Sequence, residues 1–194
     1  MSEPLPQRWH STFLQAVERH RHADPLKEAA LAGRLGDWTS ALTTVVVSAC
    51  GQMGWQASAK GHTLDLLPVP RSEYLALDVM AFAGEGGRWR FPVAVMELEN
   101  SRDDDYIAYS LWKVLCVRAR LRVVYCYRQS ASERAALLQR LGRELLGAIP
   151  LAERGQVPGR TLVVVGTLDE ASNFPYSFFK PFAADYSTGR FASL

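Results

Sequence analysis

The sequence predicts an α/β sandwich built around a mixed sheet, on three observations. Apolar residues recur at helical spacing through the first fifty positions. Two extended-looking runs, Glu73 to Phe82 and Phe91 to Glu99, flank a glycine turn at Gly84, Gly86 and Gly87 and read as a hairpin. Two near-continuous apolar runs, Leu121 to Tyr127 and Thr161 to Leu168, are separated by a helical pattern, as in strands buried on both faces.

From Arg8 to Arg21 the spacing of Trp9, Phe13, Ala16 and Val17 predicts an amphipathic helix. A second helix is expected over Pro25 to Arg34, with Asp24 as N-cap and proline in the first helical position. Asp37 can cap a third, whose apolar face includes Trp38, Leu42, Val45, Val46 and Ala49; Gly51 and Gly54 end it. Trp55 to Lys60 reads as a short strand, and the proline-punctuated stretch His62 to Arg71 as a connection to the hairpin. Beyond it, Ser101 or one of Asp103, Asp104 and Asp105 can cap a helix with Ile107, Leu111, Val114 and Leu115 facing the core. Ser132 to Leu146 is the last helical pattern.

The final segment differs in kind. Seven of the fifteen Phe and Tyr residues lie between Phe174 and Phe191, among Pro175 and Pro181, with no strand or helix period. An aromatic arm packed over the core or against a partner is expected there. No repeat or low-complexity linker divides the chain, so one domain over 1–194 is expected, with N-terminal helices at 1–36, a core at 37–168 and the arm at 169–194.

With 22 Lys+Arg against 20 Asp+Glu, 48% hydrophobic and 22% charged residues, the chain is neither a disordered polymer nor a basic coat for nucleic acid. Eighteen of the basic residues are arginine and four are lysine: Lys27, Lys60, Lys113 and Lys180. Met1 to His22 lacks the character of a secretory signal, and no run approaches the ~18 apolar residues of a membrane span. A cytoplasmic protein without membrane contact is expected. Cys50, Cys116 and Cys126 lack metal-ligand spacing and read as buried thiols, and His10, His20, His22 and His62 as surface or capping residues.

The chemistry concentrates in the hairpin. Alternation puts Tyr74, Ala76, Asp78 and Met80 on one face of the first strand, and Phe91, Val93, Val95, Glu97 and Glu99 on one face of the second. The two glutamates project the same way, about 7 Å apart. Nineteen residues separate Asp78 from Glu97, so an antiparallel hairpin can bring the aspartate beside them. Three carboxylates at a sheet edge suit Mg²⁺ or Mn²⁺, with waters and a substrate phosphate completing the shell. The same pattern also fits a solvated strand end, ion-paired to Arg88, Arg90 or Arg102.

The string LALDVMAF, a glycine turn, FPVAVMELEN, a helix and then LRVVYCY resembles the core of the PD-(D/E)XK nuclease superfamily, the restriction-endonuclease-like fold. The resemblance spans about residues 37 to 128 and extends to about 168. It implies an αβββαβ core with a mixed central sheet flanked by helices, and metal binding by Asp78 and Glu97. The family usually has lysine where this chain has Glu99; some restriction enzymes carry glutamate there, where it handles the attacking water. Lys113 shares a helix face with Tyr106, Tyr109 and Ser110 and can replace the missing cation, because some members carry a catalytic residue on this helix. A solvated surface lysine beside Trp112 is the alternative at that position.

Asn100 and Lys60 can contact phosphate, as can Arg118, Arg120 or Arg122, while Glu18 and Glu28 are candidates for an additional acidic ligand. The resemblance therefore implies Mg²⁺- or Mn²⁺-dependent hydrolysis of nucleic acid, DNA in the first instance, by Asp78, Glu97, Glu99 and Lys113. A homodimer would suit cleavage of both strands. The alternative is a catalytically inactive binding or assembly module with the same fold. A small-molecule α/β enzyme is disfavoured by the lack of G-x-G-x-x-G, phosphate-loop or nucleophile-elbow patterns.

Overall fold

The computed structural model describes residues 3–84 and 88–194, with the side chains of 20–23 outside the description. The turn expected at Gly86 and Gly87, and the side chains of His20 and His22, therefore lie outside the described residues. Three helices, α1 (Leu5–Glu18), α2 (His20–Leu31) and α3 (Leu35–Gln52), precede strand β1 (Trp55–Ala59). Then follow β2 (Val79–Ala83), β3 (Ala94–Leu98), α4 (Asp104–Leu115), β4 (Leu121–Arg128) and α5 (Ala131–Leu141). A π-helical turn at Gly142–Leu146 extends α5; α6 (Leu151–Arg154), β5 (Arg160–Thr167), β6 (Phe179–Asp185) and β7 (Arg190–Ser193) complete the chain.

The seven strands form one mixed sheet in sequence order. β1, β2 and β3 make an antiparallel meander, β3, β4 and β5 run parallel, and β6 and β7 return antiparallel. The parallel steps need crossovers, which α4 and α5 supply. Because side chains alternate across a strand, each strand feeds two cores. On one side Val123, Tyr125 and Val164 meet Trp9, Phe13, Trp38 and Leu42. On the other Val95, Val124, Val163 and Val165 meet Ile107, Leu111, Val114 and Leu137. Every residue of β4 is buried, which is why its sequence shows no polar alternation.

Several expectations are corrected. Arg19 breaks the first helix and α2 starts at His20, so Pro25 stands inside α2 rather than opening a helix. Docking of Leu26, Ala29 and Ala30 on the core fixes that helix in spite of the proline. Arg34 takes the position before α3, and Asp37 sits in its first turn, 2.9 Å from the Arg34 guanidinium. Asp103 caps α4. Residues 74–76 are a 3₁₀ turn, not strand: Leu75 and Ala76 have φ of 57° and 53°, and extended pairing begins at Val79. Val93, ahead of β3, packs in the opposite core from Val95.

The aromatic arm is a pair of strands. Phe178 and Phe179 are buried against Phe13 and Phe174, and Pro181 sits in β6 opposite Val164. Proline masked the strand pattern at a position next to the sheet's outer ribbon. Cys116 is exposed, because it follows the last residue of α4, whereas Cys50 and Cys126 are buried. His10 is half-buried and stacks beside Phe13, and burial, with the nearby Lys180 charge, lowers its pKa to about 4. No helix among the described residues is long and apolar enough to cross a membrane.

Candidate functional site

The register that pairs Val79 with Met96 continues outward to set Asp78 opposite Glu97. Each carboxylate is held by the other strand's backbone. Leu98 N–H donates to Asp78 Oδ2 at 2.7 Å, and Asp78 N–H donates to Glu97 Oε1 at 3.4 Å. Alternation along β3 directs Glu97 to the α4 side of the sheet, where Val95 also points. Ile107, Leu111 and Val114 anchor α4 on that face, and the same helix then carries Ser110 and Lys113 over the carboxylates.

Lys113 Nζ lies 2.8 Å from Glu97 Oε2 and donates to the Ala76 carbonyl at 2.7 Å. That carbonyl belongs to the left-handed pair Leu75–Ala76, a conformation costing on the order of 1–3 kcal/mol per non-glycine residue. The Ser110 hydroxyl, itself buried, is 3.2 Å from Glu99 Oε2 and 3.4 Å from Glu97 Oε2, so it donates to one carboxylate at a time. Glu99 Oε1 accepts from Ser101 N–H at 2.7 Å. Neither Glu97 nor Glu99 pairs with Arg88, Arg90 or Arg102; the cation at the strand end comes from α4.

Glu97 is only 4% exposed. Burial pushes its pKa up to about 7, opposed by the Lys113 hydrogen bond and reinforced by the Asp78 charge. Burial likewise raises Asp78, against the pull of the Leu98 N–H and Lys113. Two desolvated carboxylates sharing one ammonium are short of positive charge, an arrangement typical of sites that take up a cation or a proton.

Asp78 opens on a cleft of about 610 Å³ that also meets Thr39, Thr43, Lys60, His62, Glu73 and Asn100. Lys60 is exposed at its rim. Asn100 uses its amide internally, donating to Thr39 Oγ1 at 2.8 Å and to the Leu35 carbonyl at 3.3 Å, and so ties the exit of β3 to α3. Arg122 is not available to a ligand: it is 1% exposed, and its guanidinium donates to the Val117 and Pro158 carbonyls. Glu18 accepts from the Tyr176 hydroxyl, and neither it nor Glu28 lines the cleft.

No group of three or more His, Cys, Asp and Glu side chains arranged to hold a metal occurs among the described residues. The donors that do come together are Asp78 and Glu97, with Glu99 turned to Ser101 N–H and Ser110. Two carboxylates fit a hard cation such as Mg²⁺, which keeps several waters and needs no all-protein cage. Sequence reasoning gave Ser110 no role, although its three-residue spacing from Lys113 placed both on one helix face. The Ala76 carbonyl had no sequence signal, since neither Leu75 nor Ala76 favours a left-handed turn. No protein family, curated protein or solved structure matches this chain.

Proposed function

We propose that the chain is a metal-dependent phosphodiesterase acting on nucleic acid, DNA in the first instance, with a PD-(D/E)XK-like site on a restriction-endonuclease-like core. The observation that carries this reading is the pairing of buried Glu97 with half-buried Asp78 at a hairpin end, completed by an ammonium from the following helix. The antiparallel meander followed by a parallel strand across α4 supports the fold assignment. Asp78 and Glu97 would hold Mg²⁺ or Mn²⁺, which when bound lowers the pKa of a water and offsets charge on a phosphoryl oxygen. Glu99, oriented by Ser101 N–H and Ser110, would accept a proton or hydrogen bond from the attacking water. Lys113, released from Glu97 as the carboxylate takes another partner, would meet the charge that develops on the phosphate. Lys60, at the rim of the Asp78 cleft, would meet a flanking phosphate.

The test is incubation of plasmid and oligonucleotide substrates with Mg²⁺ or Mn²⁺. Cleavage by the wild type and its loss in Asp78→Ala and Glu97→Ala is the expected result. Activity surviving both substitutions rejects the assignment. Absence of both cleavage and calorimetric divalent-metal binding leaves the catalytically inactive binding or assembly module.

A further inference from the structure

The β2–β3 connection and α4 carry five exposed aromatic residues, Trp89, Phe91, Tyr106, Tyr109 and Trp112. A groove of about 680 Å³ runs along the 74–76 turn, with Trp89 and Phe91 on its wall and Arg71 and Arg118 at its edges. Trp89 is 66% and Phe91 82% exposed, so neither ring contributes to either core. Cys116 joins this groove to the neighbouring depression that contains Trp112. Trp112 in turn stacks on Tyr109 at 5.9 Å and 24°, and the Lys113 ammonium lies 5.8 Å from the Tyr109 ring. Trp89 and Phe91 precede β3 at the other end of the hairpin from Asp78 and Glu97, and the groove that holds them meets the Asp78 cleft at Glu73.

We infer that this aromatic track binds single-stranded nucleic acid and delivers it to the carboxylates, an inference that rests on the hydrolase reading above. Bases stack on exposed aromatic faces, while cations beside them meet the phosphates. Arg71 and Arg118 are exposed and form no ion pair with a described residue, so their charges are free for that contact. A duplex keeps its base faces stacked inside and offers the rings nothing. A chain of net charge +2 also lacks the broad basic surface that holds a duplex through counterion release. An apolar peptide would satisfy the rings but not the unpaired arginines.

The experiment is fluorescence anisotropy of the full chain in EDTA with labelled 15-mers of oligodeoxythymidine and oligouridine, and with a duplex of equal length. A single strand should bind at least about tenfold more tightly than the duplex. Trp89→Ala and Phe91→Ala should each weaken it on the order of tenfold with an unchanged melting temperature. Arg118→Ala should reduce the salt slope by about 0.7. Equal binding of single strand and duplex, no binding of either strand, or no loss in the two aromatic variants overturns the inference. So does concentration-dependent dimerisation abolished by the same variants, which would make a second copy the occupant. The two readings fail separately: duplex cleavage without single-strand preference defeats the track, whereas single-strand binding without metal-dependent cleavage defeats the hydrolase.

Discussion

The Lys113 ammonium sits 2.8 Å from a Glu97 carboxylate that the fold has almost wholly removed from water. The residue that looks like a surface lysine in its helix is instead half-buried, held between Glu97 and a carbonyl presented by a left-handed turn. Breaking this contact by removing the cation leaves a buried charge with no counterpart, which is far costlier than losing an exposed ion pair. Lys113→Ala should therefore destabilise the fold by on the order of 2 kcal/mol at pH 8, and by clearly less at pH 5, where Glu97 takes up a proton instead. Urea denaturation at the two pH values measures the difference. Equal losses would mean that the pair carries no charge-dependent stability.

Glu97 gives stability a second pH signature. Its folded pKa, about 7, lies above the ordinary carboxylate value, so between roughly pH 4.5 and 7 the native state binds a proton that the unfolded chain does not. Stability from this group is thus greatest below the unfolded pKa and declines as pH rises through 7. Asp78, raised in the same direction, adds to the slope. Glu97→Gln should remove on the order of 1–3 kcal/mol of that decline, seen as a flatter melting-temperature profile from pH 4.5 to 7.5. A profile parallel to the wild type would show that Glu97 titrates normally.

Arg122 holds structure rather than substrate. Its guanidinium donates to Val117 O at 3.0 Å and Pro158 O at 2.6 Å, joining the loop after α4 to the approach to β5. Desolvation lowers its pKa, opposed by Tyr186 nearby, and the two carbonyl dipoles accept from its guanidinium. Arg122→Ala leaves two carbonyls without donors and opens a cavity, and should cost on the order of 3 kcal/mol in chemical denaturation. Nucleic-acid affinity that fell with stability intact would reverse this assignment.

Gly166 tests the aromatic seam between β5 and β6. A methyl group added there would stand 2.5 Å from Phe178 Cε1, a ring that is fully buried. Gly166→Ala should cost on the order of 1–3 kcal/mol through overpacking. Gly166→Ala combined with Phe178→Leu should recover part of that loss in the same denaturation measurement, while strict additivity of the two changes would place the strain elsewhere.

Where burial is uniform or alternation is clean, sequence and structure agree closely. β4 and β5 stand out because both faces are covered, and α4 because its core stripe and its acidic cap are local patterns. Agreement fails where a long-range contact overrides a local signal. Pro25 lies within α2 because the neighbouring Leu26 and Ala29 dock on the core, and Pro181 is tolerated in β6 although it interrupts the pattern. Asp78, Glu97, Glu99 and Lys113 were legible as residues; which of them touch was not.

The sequence alone determined the layers of the fold, because side-chain period and burial are set residue by residue along the chain. It also showed that a hairpin can bring Asp78 beside the glutamates, while the register that sets it opposite Glu97 came with the folded strands. Only the tertiary structure decided that Lys113 reaches Glu97, that Glu99 turns to Ser101 N–H, and that Asn100 is bound to α3. Those contacts depend on how α3 and α4 seat against the sheet. That seating is a sum of many buried apolar contacts and leaves no mark on any one stretch of sequence.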